Sequence, residues 1–404
     1  MHVLIVGGSV GGLSLAQCLR KLGVSFEIFE RDPSPESRFQ GWAIGIHTIV
    51  DELQEAFPAD LPKLKDATDH LQPHDLPAQM AVYIPGRDGR IGVESTPEAP
   101  IIRSERYRLR QWLSTNLPIQ WGKRVQRIEH GDQGAAVYFE DGTSAKGDII
   151  VGADGINSMV RETLLQRSAS GLLNVVPLGA IVGEVTLTGE QFKRQLELGH
   201  SAYVYMNPAQ GFAHFNGLHH ALPDGVSGRH YWMFMQPDAN VAQPDHWLRS
   251  ATQQEKLDHV LKLSASMPAP LRELFELTPA SGIKTEPHVW RDLELESLPA
   301  GRVVLLGDSA HAMTPFRGEG AYHAFIDSLR LSKLLSKTDG NDIGAVKAAV
   351  AEYNAEMLER GIQAVRNSRN ADSGKPKDPN AKLTTANQLL RPLPQVPVVL
   401  PRLG

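Results

Sequence analysis

Val3-Leu4-Ile5-Val6 is a wholly apolar run, and Gly7-Gly8-Ser9-Val10-Gly11-Gly12 follows it directly. Four apolar residues in succession, with no polar position between them, read as a short strand buried on both faces, as in a parallel sheet. Leu13 to Leu22 then carries a helical pattern, Gly23 stands where a helix C-cap falls, and Phe26–Phe29 reads as a second strand. Strand, glycine-rich turn, helix and strand form a βαβ-type opening, which sets the fold class as α/β with a Rossmann-type nucleotide-binding unit.

The turn residues fit that role individually. Gly7 allows the tight turn, Gly12 lets the helix pack closely on the strand, and the backbone N–H groups around Val10 and Gly11 face a pyrophosphate at the helix N-terminus. Ser9 occupies the middle glycine position, where a small side chain that can donate a hydrogen bond is tolerated. Glu30 ends the second strand, 18 residues after Gly12. A carboxylate there accepts from both ribose hydroxyls of an adenosine and repels a 2′-phosphate. The opening therefore calls for a nucleotide with a free 2′-hydroxyl, FAD or NAD.

The far end of the chain separates these two. A third strand, Ile149–Val151, runs into Gly152-Ala153-Asp154-Gly155, and a fourth, Val303–Leu306, runs into Gly307-Asp308 and on through Pro315-Phe316-Arg317-Gly318-Glu319-Gly320-Ala321 to a long helical pattern. A carboxylate beside a glycine approaches a polyol chain, which FAD has in its ribityl group and NAD lacks. The Gly318-Glu319-Gly320 turn aims the next helix N-terminus at whatever lies ahead of it, and for a flavin that dipole favours negative charge on the N1–C2=O edge.

Gly307–Ala321 resembles the GD segment of the aromatic-hydroxylase flavoproteins (class A FAD-dependent monooxygenases), Asp154-Gly155 resembles their DG motif, and the opening resembles their FAD fingerprint. The likeness runs from residue 1 to about 370 and is nearest to fungal secondary-metabolite monooxygenases and tetracycline-inactivating hydroxylases. It implies that Asp308 binds the ribityl chain, that Pro315, Gly318, Glu319, Gly320 and Ala321 border the isoalloxazine, and that Asp154 and Gly155 help to hold the cofactor. Arg106 matches an arginine-x-x-leucine element that reaches FAD from a helix start, Arg31 follows Glu30 as it often does there, and Arg38 to Gly41 and Trp42 resembles a mobile stretch lying along the flavin. Tyr322 departs from the asparagine that many relatives carry. The implied chemistry is oxygen transfer from a C4a-hydroperoxyflavin to a mid-sized, largely apolar organic substrate, as hydroxylation or epoxidation, with O2 and with NADPH or NADH as transient electron donor. An FAD-dependent reductase or dehydrogenase of related fold and a non-enzymatic flavin-binding protein are the alternatives.

The expected organisation is a discontinuous FAD-binding domain (1–75, 100–175 and 285–345), an inserted, mainly antiparallel substrate domain (76–99 and 176–284), a C-terminal helix over 345–370 and a Pro-rich tail over 371–404, either loose or draped on the body. The insertion is read from strand-like segments Val182–Val185, Ala202–Met206, Gly211–Leu218 and Tyr231–Met235. Their aromatics are candidates to line a pocket, with Phe212, His214 and Trp232, together with Phe316, as substrate contacts. His214 is a polar anchor only if Phe212, His214 and Asn216 share the pocket side; if Ala213 and Phe215 face the flavin, it is a solvated residue. His311 reads as structural, Glu319 as exposed or bonded to backbone, and His219-His220 as a solvated loop pair.

Composition narrows the class further. The 404 residues are 41% hydrophobic and 22% charged, with a formal charge of -5, which gives no electrostatic footprint for nucleic acid. The single cysteine, Cys18, permits no internal disulfide and lies among Leu15, Ala16 and Leu19, as a buried thiol does. The histidines show no metal-ligand spacing, so no metal is expected. No apolar run approaches ~18 residues, and a soluble, cytoplasmic protein is expected.

Overall fold

His2–Val6 lies at the centre of a five-stranded sheet, with Val3, Leu4 and Ile5 wholly shielded from solvent in the computed structural model. The structure describes residues 1–369, 390–394 and 397–401. Across the sheet the order is Val303–Leu305, Ile149–Gly152, His2–Val6, Ser25–Phe29 and Ile119–Gln120, every neighbouring pair parallel. The register sets Val6 beside Gly152 and Gly152 beside Leu305. The turns that follow these strands therefore leave the same edge of the sheet, where ligands of such folds bind.

The Val10–Leu22 helix buries Leu13, Leu15, Ala16 and Leu19 and stops at Gly23, which takes φ 69° as the expected C-cap. It starts directly over the turn. A Cβ on Gly12 would stand 2.0 Å from the Gly7 carbonyl oxygen, so no larger residue fits there. Cys18 is buried in this helix, and burial pushes its thiol up to about 12.

A second, seven-stranded sheet has the order Leu178–Thr188, Ser227–Pro237, Phe212–Ala221, Ala202–Asn207, Gln79–Tyr83, Ile91–Glu94 and Arg391–Pro392. Its pairs are antiparallel except for Ala202–Asn207 beside Gln79–Tyr83. The strands outrun the apolar segments that mark them in the sequence, because polar residues such as Thr186 and Arg229 continue the ladder. His219 and His220 lie in this sheet, not in a solvated loop: they end the Phe212–Ala221 strand at a bulge, and His219 Nε2 is 3.1 Å from a Glu105 carboxylate oxygen.

The Ile343–Arg369 helix buries Val346, Val350, Tyr353, Met357 and Val365. Its Tyr353 hydroxyl donates to the Leu305 carbonyl at 3.1 Å and its Ser368 hydroxyl to that of Thr314 at 2.8 Å, so it braces both ends of the segment after the fourth strand. Residues 390–394 and 397–401 of the tail are draped on the body: Arg391–Pro392 pairs with Ile91–Glu94, and Arg90 donates to the Pro394 carbonyl. The rest of the tail, with Pro376 and Pro379, lies outside the described residues. Among the described residues no helix is long and apolar enough to cross a membrane, and no cluster of side chains suits a metal ion.

Candidate functional site

At the end of the second strand Glu30 is buried and fixed by backbone. Its Oε2 accepts from Gly8 N–H at 2.6 Å and its Oε1 from Asp32 N–H at 2.9 Å. Each oxygen keeps a further lone-pair site, enough for a pair of vicinal hydroxyls. Arg110, which sequence reasoning missed, lies 3.7 Å from Glu30 and 3.5 Å from Asp32 and donates to the Gly8 carbonyl at 2.9 Å. Its position four residues after Arg106, on the same helix face, was the available signal. Arg38 forks onto Asp32 at 2.8 and 3.0 Å, while Arg31 is exposed. The Val10–Leu22 helix has no acidic residue in its first turn, and Ser9 caps it without a side-chain bond, so its N-terminal dipole is uncompensated.

The strand ending at Leu305 delivers Gly307 to a buried polar cluster. Asp327 accepts from Gly307 N–H at 2.8 Å, pairs with His311 Nε2 at 2.8 Å and receives Arg360 at 2.7 Å. Burial alone would raise the Asp327 carboxyl, but His311 and Arg360 hold it well below the usual carboxylate range. His311 is thus structural, as its sequence context suggests. Asp308 is exposed at the start of the Asp308–His311 turn of helix. Its charge acts on Arg106, whose pKa burial lowers and Asp308 raises. The Arg106 side chain lies across Gly41 so closely that a Cβ there would stand 2.7 Å from Nη1. Gly41, Arg106 and Asp308, from three separate stretches of sequence, are brought together.

Asp154 is committed locally: it accepts from the Ser158 hydroxyl at 2.5 Å and Val160 N–H at 3.1 Å, which shapes the turn through Gly155 and starts the Met159–Leu165 helix. Pro315–Arg317 forms a short 3₁₀ turn, Gly318 takes φ 66°, and the Gly320–Leu335 helix begins with no acidic residue in its first turn, Ala321 and Tyr322 included. Glu319 is not exposed, and among the described residues its carboxylate meets no backbone donor. It is 1% exposed, with both oxygens held by Arg317 at 2.9 Å, because a buried carboxylate needs a cation and the turn places Arg317 two residues away. Tyr322 stacks on His47 with ring centroids 5.5 Å apart. His47 is buried with both ring nitrogens unpartnered, and burial pulls it down to about 4.

The residues present fit FAD. Arg110 Nη2, which meets Glu30 and Asp32 only at ion-pair distance, and both ring nitrogens of His47 are buried without a hydrogen-bond partner, and the polar groups of the site suit pyrophosphate, ribose and polyol in turn. Asp308 is exposed and makes no hydrogen bond among the described residues, so Asp308→Ala is expected to leave folding intact and weaken FAD retention about tenfold or more. The flavin-to-protein absorbance ratio after gel filtration checks this; full occupancy would assign the ribityl chain elsewhere.

The inserted sheet turns one face toward the Pro315–Gly318 turn. Leu178, Ala180, Ala213, Phe215, Met233, Met235 and Trp290 cluster with Phe316, and the Trp290 and Phe316 rings are 5.3 Å apart. Of the four expected substrate contacts, only Phe316 lies on this side. Strand alternation sends Phe212, His214 and Trp232 to the opposite face. There Phe212 stacks on Phe234, Trp232 donates to the Thr278 hydroxyl, and His214 packs 4.4 Å from Phe275. His214 is not solvated either: it has no exposure, neither nitrogen has a partner, and burial pulls it down to about 3.

A parallel sheet with a glycine turn after its first strand, a buried Glu30 at the end of the second and an exposed Asp308 after the fourth are the features expected of an FAD-binding oxidoreductase. A family model described as FAD binding domain matches residues 1–368. The FAD-dependent monooxygenase thnD of Trichoderma harzianum is 55% identical over 401 residues, 98% of either chain. The FAD-dependent monooxygenase phnB of Penicillium herquei is 30% identical over 374 residues, covering 90% of this chain and 88% of its own. The structure of 2,6-dihydroxypyridine-3-hydroxylase from Arthrobacter nicotinovorans shares the fold, with a TM-score of 0.70 at 18% identity over 98% of this chain and 99% of that one. The chain belongs to the FAD-binding monooxygenase family.

Proposed function

We propose that this FAD-dependent monooxygenase binds a mid-sized, largely apolar organic substrate where the Pro315–Gly318 turn meets the inserted sheet, and inserts one oxygen atom into it by hydroxylation or epoxidation. The observation that carries this reading is the apolar cluster of Phe316 with Phe215, Met233, Met235 and Trp290, which joins the flavin-edge turn to one sheet face. When bound, FAD supplies the two-electron and oxygen chemistry, fed by NADPH or NADH. The chain's own residues do the rest. Glu30 and the Gly7–Gly12 turn hold the adenosine diphosphate half. Asp308 and Arg106 hold the ribityl chain and its approach. The start of the Gly320–Leu335 helix favours negative charge on the flavin edge, and the sheet face excludes water and orients the substrate.

The same reading keeps a chain division into a cofactor unit (1–75, 100–175 and 285–345) and a substrate unit (76–99 and 176–284), and a cytoplasmic location.

The test has two stages. Anaerobic mixing with NADPH or NADH should bleach the bound flavin without a second protein. With labelled O2 and a turned-over substrate, one labelled atom should appear in the product. Bleaching without oxygen incorporation would make the protein a reductase or dehydrogenase instead.

A further inference from the structure

Arg103 stands on the Ile101–Glu105 strand, three residues before Arg106, and reaches the pocket face of the inserted sheet. Its Nη2 donates to the Tyr231 hydroxyl, and its guanidinium lies over the Phe215 ring, 5.8 Å from the centroid. It is 8% exposed, its Nε is buried without a partner, and no carboxylate among the described residues pairs with it. The other buried arginines are answered differently. Arg110 faces Glu30 and Asp32, and Arg317 is forked onto Glu319. Arg90, Arg161 and Arg302 donate to main-chain carbonyls. A buried guanidinium met only by a neutral hydroxyl and a ring is a costly arrangement unless an anion completes it.

Tyr231 adds a second donor. Its oxygen accepts from Arg103, so its own proton remains to be donated, and no described residue accepts it. Trp42 stacks on the Tyr231 ring at 4.5 Å and 5°, which keeps water from one side. Glu184, opposite Tyr231 in the ladder, is held by Trp42 Nε1 at 2.6 Å and Lys284 at 2.8 Å. Phe215, 5.7 Å from the Tyr231 ring, links this polar point to the apolar cluster around Phe316.

We propose that Arg103 and the Tyr231 hydroxyl form an anion anchor, and that the substrate carries an acidic oxygen (a carboxylate, or a phenol or enol bound as its anion) on an otherwise apolar body lying along Phe215 and Met233. This names the substrate class for the site proposed above and rests on that placement.

The holoenzyme is titrated with 2-naphthoate, 2-naphthol and the neutral 2-naphthamide, and binding is read as perturbation of the flavin absorption band. The wild type is expected to bind naphthoate or naphthol about tenfold or more tightly than naphthamide, the scale of one charge-assisted hydrogen bond. Preference for naphthoate assigns a carboxylate, and preference for naphthol a phenol or enol. Arg103→Gln should erase the preference while FAD content and naphthamide affinity persist. If Arg103→Gln does not fold, Arg103→Lys and Tyr231→Phe carry the comparison, each expected to reduce the preference severalfold. Equal binding of all three compounds by the wild type, or a preference that survives the substitutions, overturns the anchor alone. If no compound perturbs a flavin that NAD(P)H still reduces, the placement of the substrate fails and takes the anchor with it.

Discussion

Asp327→Ala is expected to destabilise the protein by about 3–5 kcal/mol, the cost of removing one member of a buried charge pair. The carboxylate lies wholly buried between His311 and Arg360, and it also accepts the Gly307 N–H. Its removal leaves the largely buried Arg360 with Glu356, at 2.8 Å, and the neutral ring of His323, at 3.1 Å, and orphans the main-chain donor next to Asp308. Chemical denaturation of the apoprotein reads the stability loss, and FAD content should fall with it, since Gly307 positions Asp308. A denaturation midpoint equivalent to less than about 0.5 kcal/mol of change, within the range of ordinary surface substitutions, would show that the cluster relaxes freely. Asp327 also sets a pH dependence. Its folded-state pKa is depressed, so its stabilisation is fully present above the unfolded carboxylate value of about 3.9 and is lost as pH falls below it. In Asp327→Asn that part of the acid limb should vanish, leaving a shallower decline than in the wild type.

Glu30→Ala should weaken FAD binding about a hundredfold or more. Two ribose hydroxyls donating to an ionised carboxylate are worth roughly 1.5–3 kcal/mol each. The buried Arg110 would face Asp32 alone. Glu30→Gln separates the two effects: it keeps the bulk beside Gly8, but its amide nitrogen cannot accept, so it should lie between wild type and alanine. Titration of apoprotein with FAD, followed by flavin fluorescence, measures all three, and an alanine variant of unchanged affinity would remove Glu30 from the site.

Much of the cofactor half was legible along the chain. Gly7 to Gly12, Glu30 and Gly307-Asp308 carry their meaning in local order, because a turn, a strand end and a helix start are short-range geometry and the parallel sheet lines those ends up on one edge. The cluster beneath Gly307 was not legible. Asp327 and Arg360 sit on two different helices, and only packing brings Arg360 to Asp327. Glu319 reads as an exposed turn residue until Arg317 folds back onto it. Trp42, in the stretch after Arg38, is brought onto Tyr231 and Glu184 by the same long-range packing.

The substrate half divides differently. The sequence by itself determined that an aromatic- and methionine-rich sheet is inserted between the nucleotide-binding segments, and that Ala213 and Phe215 face opposite to His214, since strand alternation is a property of the backbone. Which of the two sets meets the Pro315–Gly318 turn only the tertiary structure decided. Both faces are apolar, so the hydrophobic pattern cannot choose between them. The choice falls to shape: the Ala269–Leu277 helix, which carries Leu274 and Phe275, packs on the side of His214 and Trp232, while Phe316 and Trp290 pack on the side of Phe215 and Met233. Arg103 acquires its place in the same way, on the Ile101–Glu105 strand, which pairs with Ala43–His47 and meets the inserted sheet only once the two are packed together.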